Sequence, residues 1–490
     1  MTVTSLDLDA VDLPVPPVRR DPETGRPRGW TTPRRIRVLA AVSVLLALVF
    51  ATVVEVGAGG LRGAFREIGH RAGPQVVATS DLYFALNDMD AQVANVLLVG
   101  KEQGLGVGRD QALNIYAQRR AQADRDLQQA SSIAGGDRAA AEALRAVLDG
   151  FGKYQALAAE AILLDGQHPH PAAQPPADAL ARYRQATDMM KQQVLPAAEK
   201  LRTANADALE HTYESKHTAT DYAMIATGVV GALLASVLVG LQAYLARRLR
   251  RRINPLLALA TAGVVVLTLT ALGMLGSESE HLRRAKKDAF DSVLVLARAR
   301  AISYDANADE SRFMVDPARR AQYQLAFYDK SQDLLGLPNA GSVYDYDQEF
   351  ATTIGLYRSA NPKVAFTGLM GRELHNITFA GEREAADDAL SALQIYQRDD
   401  REMRRRVGIG QLKSAVDFNT SYKPGNSNWA FDQYDKALVQ VTDINQRAFD
   451  QSIHAGEDGL SAWTWIPPAA LLAVAGLVFL AVRPRLSEYR

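Results

Sequence analysis

The chain contains no cysteine. That single absence excludes disulfide frameworks, cysteine-ligated zinc, iron–sulfur clusters and thiol nucleophiles. Neither charge is in excess: 55 Lys and Arg offset 55 Asp and Glu. There is thus no global basic field of the kind a nucleic-acid binder needs, and no nucleic-acid partner is expected. Strand-type alternation is also missing. No serine, histidine and aspartate group can be singled out as a nucleophilic site, so enzymatic activity and a bound cofactor are not expected. What the sequence does have is segregation. Four windows are nearly pure Ala, Val, Leu and Gly, and the stretches between them are rich in Asp, Glu, Gln, Arg and Ala.

The apolar windows run from Val38 to Val54, Tyr222 to Leu245, Pro255 to Leu275 and Trp463 to Val482. Each has the length needed to cross a hydrocarbon core of about 30 Å at 1.5 Å per residue. None carries a charge in its middle, where one Arg or Asp would cost about 2.5–3.5 kcal/mol. Three basic clusters flank them: Arg19, Arg20, Arg26, Arg28, Arg34, Arg35 and Arg37; Arg247, Arg248, Arg250, Arg251 and Arg252; and Arg483, Arg485 and Arg490. Basic residues favour the inner face of the membrane, which places all three clusters, and both termini, in the cytoplasm. Trp463 and Trp465 fall where the fourth span meets the outer interface. Val56-Gly57-Ala58 offers small residues for signal cleavage. The long amino-terminal region and the long apolar run favour a retained anchor instead.

The expected fold is therefore an all-α membrane protein of the plasma membrane. It has a cytoplasmic tail (1–37), a span (38–57), an extracytoplasmic four-helix bundle (58–221) and a second span (222–245). A cytoplasmic Arg-rich turn (246–254), a third span (255–276), a second extracytoplasmic helical domain (277–462), a fourth span (463–482) and a short cytoplasmic tail (483–490) follow. The plan reads twice. Setting Ala85 on Ala301 brings Leu86 onto Ile302, Leu97 onto Phe313 and Val99 onto Val315, and Tyr183 and Tyr434 open comparable late helices. This layout implies a pseudo-duplicated half, with two bundles side by side as a single-chain pseudo-dimer.

In the first long segment, Leu82, Leu86, Met89, Val93 and Val96 mark one helix face. Further helices carry Leu113 to Leu127, Leu144 to Ala158, and Leu180 to Met190. The last starts near Asp178 as its cap, and Pro196 should bend or break it. The second segment has extra loops at 335–342, 361–371 and 408–428, where partner contact is expected, with tolerated surface insertions as the alternative.

Several polar groupings are candidates for chemistry. Gly104-x-Gly106-x-Gly108 lacks the strand and the Gly-Lys-Ser/Thr ending of a phosphate loop and reads as a turn. His168-Pro-His170 lacks a third ligand and reads as a solvated loop. Asp305, Asp309, Glu310 and Arg312 read as an exposed charged face. Asp345, Asp347 and Glu349 do not fit the twelve-residue calcium loop. Asn419-Thr-Ser has the pattern of a glycosylation acceptor. Arg182, Arg184, Arg312 and Arg398 are either carboxylate binders or solvated residues. The smooth spans lack the polar, broken helices of a secondary transporter. What remains is signalling. The candidate inner relay surface is Arg247, Arg248, Arg250, Arg251, Arg252, Arg483 and Arg485. The basic residues also suit anionic lipid of the bilayer. Pro14, Pro16, Pro17 and Pro27 give the amino-terminal tail the character of an extended docking peptide.

The run Leu82 to Val99, following a membrane span and followed by three more helices, resembles the four-helix-bundle sensor domains of bacterial chemoreceptors and histidine kinases. Arg251-Arg-Ile-Asn-Pro-Leu256 resembles the opening of a HAMP linker, but Ala258 to Leu275 continues as a membrane span. The whole layout, the Arg-rich turn 247–252 and the terminal Arg483-Pro-Arg-Leu-Ser-Glu-Tyr-Arg490 resemble the actinobacterial GlnX-type membrane components of an amino-acid-sensing pathway. That resemblance implies two partners. Outside is a solute-binding lipoprotein (GlnH) loaded with an amino acid, and inside is a soluble Ser/Thr protein kinase (PknG). It implies no residue-level site. Direct ligand binding by a bundle, or service as a transporter accessory subunit, are the alternatives.

Overall fold

The computed structural model describes residues 32–100, 105, 108–133, 138–249, 254–359 and 367–487. Among these the chain is helical, and the only strand-like pairing is an isolated bridge between Gly336 and Thr367. The helices are α1 (Thr32–Glu67), α2 (Gly73–Val99), α3 (Arg109–Ile133), α4 (Arg138–Gln167), α5 (Ala177–Met189), α6 (Leu195–Leu249) and α7 (Pro255–Arg283). Then come α8 (Asp291–Val315), α9 (Arg320–Leu334), α10 (Tyr346–Ser359), α11 (Gly368–Asn376), α12 (Glu382–Gly408), α13 (Leu412–Thr420), α14 (Ser427–Ser461) and α15 (Ile466–Ser487). Among the described residues, four helical stretches are long and apolar enough to cross a membrane.

The chain divides into two compact units. One takes Met1–Glu55, Ile225–Leu272 and Trp465–Arg490. Its helices leave large apolar side chains such as Leu45, Val229, Leu233, Leu269, Leu472 and Phe479 exposed, as lipid-facing residues are. Small residues let its helices approach: a Cβ on Gly231 of α6 would lie 2.4 Å from the Thr268 hydroxyl of α7. Asn254 and Pro255 start α7 as their chemistry directs. The Asn254 side chain accepts from Leu256 N–H at 3.0 Å, and Pro255 occupies the first turn, where its missing N–H costs nothing.

The other unit takes Val56–Met224 and Gly273–Thr464, so both long segments share one body. The stripe Leu82, Leu86, Met89, Val93 and Val96 is fully buried. It joins residues of α3, α4, α5 and α6 in a core that also takes in Phe313, Met314, Val315, Tyr323, Met403 and Val416 from the second segment. A second core gathers Phe327, Tyr346, Phe350, Tyr396, Phe431 and Tyr434. Helix α2 packs against α3 on one side and α8 on another. Its polar face is therefore covered as well as its apolar one.

Three features differ from expectation in detail. Pro176, not Asp178, precedes α5, and Asp178 instead accepts from Ala179 N–H at 2.8 Å. Ahead of Pro196 the helix widens into a π-helical turn, Met190–Val194. A proline ring clashes with the carbonyl four residues back, and the wider turn relieves this without ending the helix. The expected 408–428 loop contains α13, and 361–366 lies outside the described residues. Two further π-helical turns, Ile68–Ala72 and Arg284–Phe290, precede α2 and α8. They begin at the same separation as Ala85 and Ala301, and α2 and α8 end at that separation too.

Close packing makes a sharp prediction at Gly456 of α14, where a Cβ would lie 2.1 Å from Phe65 Cζ on a fully buried ring. Gly456→Ala should lower the melting temperature of the detergent-solubilised protein by the equivalent of about 1–3 kcal/mol, the usual cost of overpacking. Gly152→Ala, with no heavy atom within 4 Å of the new Cβ, should be neutral or stabilising, since alanine favours helix.

Candidate functional site

The densest polar chemistry lies in the seam between α2 and α8. Asp305, Asp309, Glu310 and Arg312 do not form an exposed face: their residues are only 9%, 0%, 0% and 1% accessible. They share one helix at helical spacing, and Asp90 and Tyr183 from the other half of the chain meet Arg312 there. Arg312 donates to Asp90 Oδ2 of α2 at 2.7 Å, Asp309 Oδ1 at 2.6 Å, Asp305 Oδ1 at 2.9 Å and the Tyr183 hydroxyl of α5 at 3.2 Å. Lys191 reaches Asp309 at 2.8 Å, and Lys330 of α9 binds Asp305 at 2.5 Å and also Asp309. Thr187 donates to Asp90 at 2.6 Å. Three carboxylates thus meet three cations.

Electrostatics follow from that balance. Burial opposes ionisation of Asp305, but Lys330, Lys191 and Arg312 outweigh it and hold its carboxyl well below the usual range. Asp309 is lowered by the same cations against the same burial. Lys191 is itself pulled down, first by burial and then by Arg312. Uncompensated burial of any one of these charges would cost several kcal/mol.

The seam continues in both directions. Ser311 donates to Asn95 at 2.7 Å. At its end, Arg184 of α5 forks onto Asp316 at 2.5 and 2.8 Å, while Arg319 forks back onto Asp188 at 2.7 and 3.0 Å. Farther along, the Phe84 ring lies between Arg119 and Arg300, each 4.6 Å from its centroid. Arg119 binds Asp88 at 2.6 Å, and Arg300 forks onto Asp435 of α14.

The sequence-nominated residues fare differently. Arg247 is exposed near the end of α6, which also carries Arg248. Arg250, Arg251 and Arg252 lie outside the described residues, as does the tail before Thr32. Arg483 and Arg485 stand in the last helix, α15. Arg37 and Arg483 line the same groove between α1 and α15, and Asn254 donates to Ala481 O at 3.3 Å. The start of α7 and the end of α15 therefore meet. Arg182 pairs with Glu160 at 2.9 Å, and Arg398 stays largely exposed beside Asp399.

Other motifs resolve into structural roles. His168 is exposed, whereas His170 is buried on Asp165 at 2.7 Å with Arg109 on the same carboxylate. The solvated-loop reading holds only for the first of the two. The imidazole packs against Gly100, whose φ of +59° and missing Cβ the contact requires. Asp345 accepts from the N–H groups of Gly341 and Ser342, and Asp347 pairs with Arg401. Gly104 and Gly106 fall outside the described residues. Among the described residues, no three His, Asp or Glu are grouped to hold a metal.

The buried seam was missed because charge alone does not report burial. One signal was present: Asp88 and Asp90 flank Met89, a member of the apolar stripe from Leu82 to Val96.

Comparison with known families gives one result. Residues 64–214 match the model of an actinobacterial sensor domain. That segment covers the end of α1, all of α2 to α5 and the beginning of α6. Comparison with curated proteins found no match, and neither did comparison with solved structures. The sensor-domain match suggests a sensing or signalling role, and the four apolar helices fit a multi-pass membrane protein.

Two predictions follow from the buried charges. Arg312→Met leaves Asp90, Asp305 and Asp309 facing too few cations and should destabilise the protein by about 3–5 kcal/mol in a chemical or thermal melt. Elsewhere in the body, burial pushes the Glu373 carboxyl up to about 8, with Ser292 opposing and the Glu382 carboxylate adding to the rise. A carboxyl raised on folding stabilises fully below its ordinary value of 4.5, and that stability is lost as pH climbs to about 8. The melting temperature of the parent should therefore fall between pH 6 and pH 9 more steeply than that of Glu373→Gln.

Proposed function

We propose that this chain is a signal relay of the plasma membrane, with both termini and the Arg-rich turn in the cytoplasm and the helical body outside. The observation that carries the reading is the sensor-domain match at 64–214, placed between two apolar spans. The basic residues beside the spans support the orientation. The body receives an amino-acid signal, carried by a solute-binding lipoprotein, and a cytoplasmic Ser/Thr kinase reads the inner side. The basis for those two partners is the resemblance to the GlnX-type proteins. In this reading the chain binds and transmits; it does not catalyse.

The mechanism draws on the seam. A pseudo-duplicated plan is supported by the matching separations of the two π-helical turns and of the ends of α2 and α8. Ligand or partner binding that shifts α2 against α8 has to exchange one set of buried ion pairs for another, which favours discrete states over gradual deformation. Each helix then continues toward a span through a π-helical turn, a common place for local adjustment. The inner readout is a changed arrangement of Arg247, Arg248, Arg250, Arg251 and Arg252 relative to Arg483 and Arg485.

Crosslinking in the native membrane followed by mass spectrometry tests the partners. Recovery of a solute-binding lipoprotein and a Ser/Thr kinase is expected. Recovery of transport subunits alone would overturn the relay in favour of a transporter accessory role. The cysteine-free background makes orientation equally testable. A single cysteine at Leu163 should react with an impermeant maleimide in intact cells, and one at Arg247 only after permeabilisation. The reverse pattern would refute the topology.

A further inference from the structure

A cleft of about 200 Å³ opens beside the seam, walled by α2, α6, α8 and α9. Its charged lining consists of Arg202, Arg298 and Lys330 against Glu199, Asp305 and Asp333. The total is neutral, so neither a simple anion nor a simple cation is favoured by the field of the cleft as a whole.

The individual charges are not equally committed. Arg202 forks onto Glu199 at 2.7 and 2.8 Å. Lys330 and Asp305 hold each other within the seam. Arg298 is different: the nearest carboxylate is Glu199 at 3.9 Å, and its side chain is 46% accessible. Asp333 has no ion pair or side-chain hydrogen bond recorded among the described residues, and it too is exposed. The two do not pair with each other. One available guanidinium and one available carboxylate therefore face the same small space, and the short side chains of Ala297 and Ala301 keep that space open.

We propose that this cleft binds a small zwitterion, a carboxylate and an ammonium on one short skeleton, as in a free α-amino acid. Arg298 takes the carboxylate, with the planar fork that suits it. Asp333 takes the ammonium. Tyr83, whose hydroxyl burial pushes up to about 12, remains a neutral donor at the cleft wall. The bound molecule bridges α8 and α9 beside α6 and α2. It also lies against Asp305 and Lys330, so its occupancy bears directly on the ion pairs of the seam. The proposal rests on the sensor reading above and gives it a site on this chain, where a free amino acid binds directly in addition to the signal the lipoprotein delivers.

The test uses the full chain in detergent, with thermal melting as readout. L-Serine, L-leucine, L-glutamate and L-lysine are the probes, and acetate and methylammonium carry one charge each. At least one amino acid should raise the melting temperature by several degrees, with neither single-charge control doing so. Arg298→Gln and Asp333→Asn should each weaken the apparent affinity at least tenfold, while Arg145→Gln, exposed on α4 away from the cleft, leaves it unchanged. Both cleft residues are exposed, and the ligand-free melt of each variant reports whether it folds. No shift with any probe, an equal shift with acetate or methylammonium, or a shift that survives in the double variant overturns the proposal. Those results leave the partner crosslinks untouched, so failure here and failure of the relay remain distinguishable.

Discussion

A guanidinium removed from water has to be met by carboxylates in good geometry, and Arg312 imposes that condition on the whole helical body. Its partners come from α2, α5 and α8, and the carboxylates it shares with Lys191 and Lys330 bring in the start of the Met190–Val194 turn and α9. Hydrophobic burial alone would let α2 and α8 slide or rotate against each other at modest cost. The ion pairs penalise such slippage, because a displaced helix leaves a buried charge unmatched. Three cations against three carboxylates fix which faces meet and at what register. The reciprocal forks Arg184–Asp316 and Arg319–Asp188 extend the same constraint to the end of the seam.

This arrangement gives the body two properties useful to a sensor. It is cooperative, since the larger core draws side chains from both long segments. It also has defined places to yield. The π-helical turns at Ile68–Ala72 and Arg284–Phe290 lie at the entry of α2 and α8. A helix with a widened turn can adjust its phase there without losing its hydrogen bonding wholesale. Rigidity in the seam and adaptability at its feet are complementary requirements for transmitting a small displacement.

The sequence disclosed most of the helical plan and little of the site. Apolar windows without central charge announced the four spans. The stripe from Leu82 to Val96 and the glycine turn at Gly104, Gly106 and Gly108 announced the first of the helices. Asn254-Pro255 announced the start of α7. These features are local, and local physics decides them. Burial of Arg312 is not local: Asp90 and Tyr183, which meet its guanidinium across the seam, lie more than a hundred positions away. From the sequence alone the run from Asp305 to Arg312 is indistinguishable from a solvated face. The same applies to His170, whose neighbour Gly100 caps the distant end of α2. Arg298 and Asp333 matter only through what their neighbours leave unpaired, and no spacing rule conveys that.

Both segments form one body held across a charged seam, and separating them tests this directly. Residues 1–253 and 254–490 can be produced as separate chains, alone and together. Neither half alone should show a cooperative melt, and the two should co-purify and melt as one when co-expressed. A first half that folds cooperatively by itself and ignores the second would contradict it.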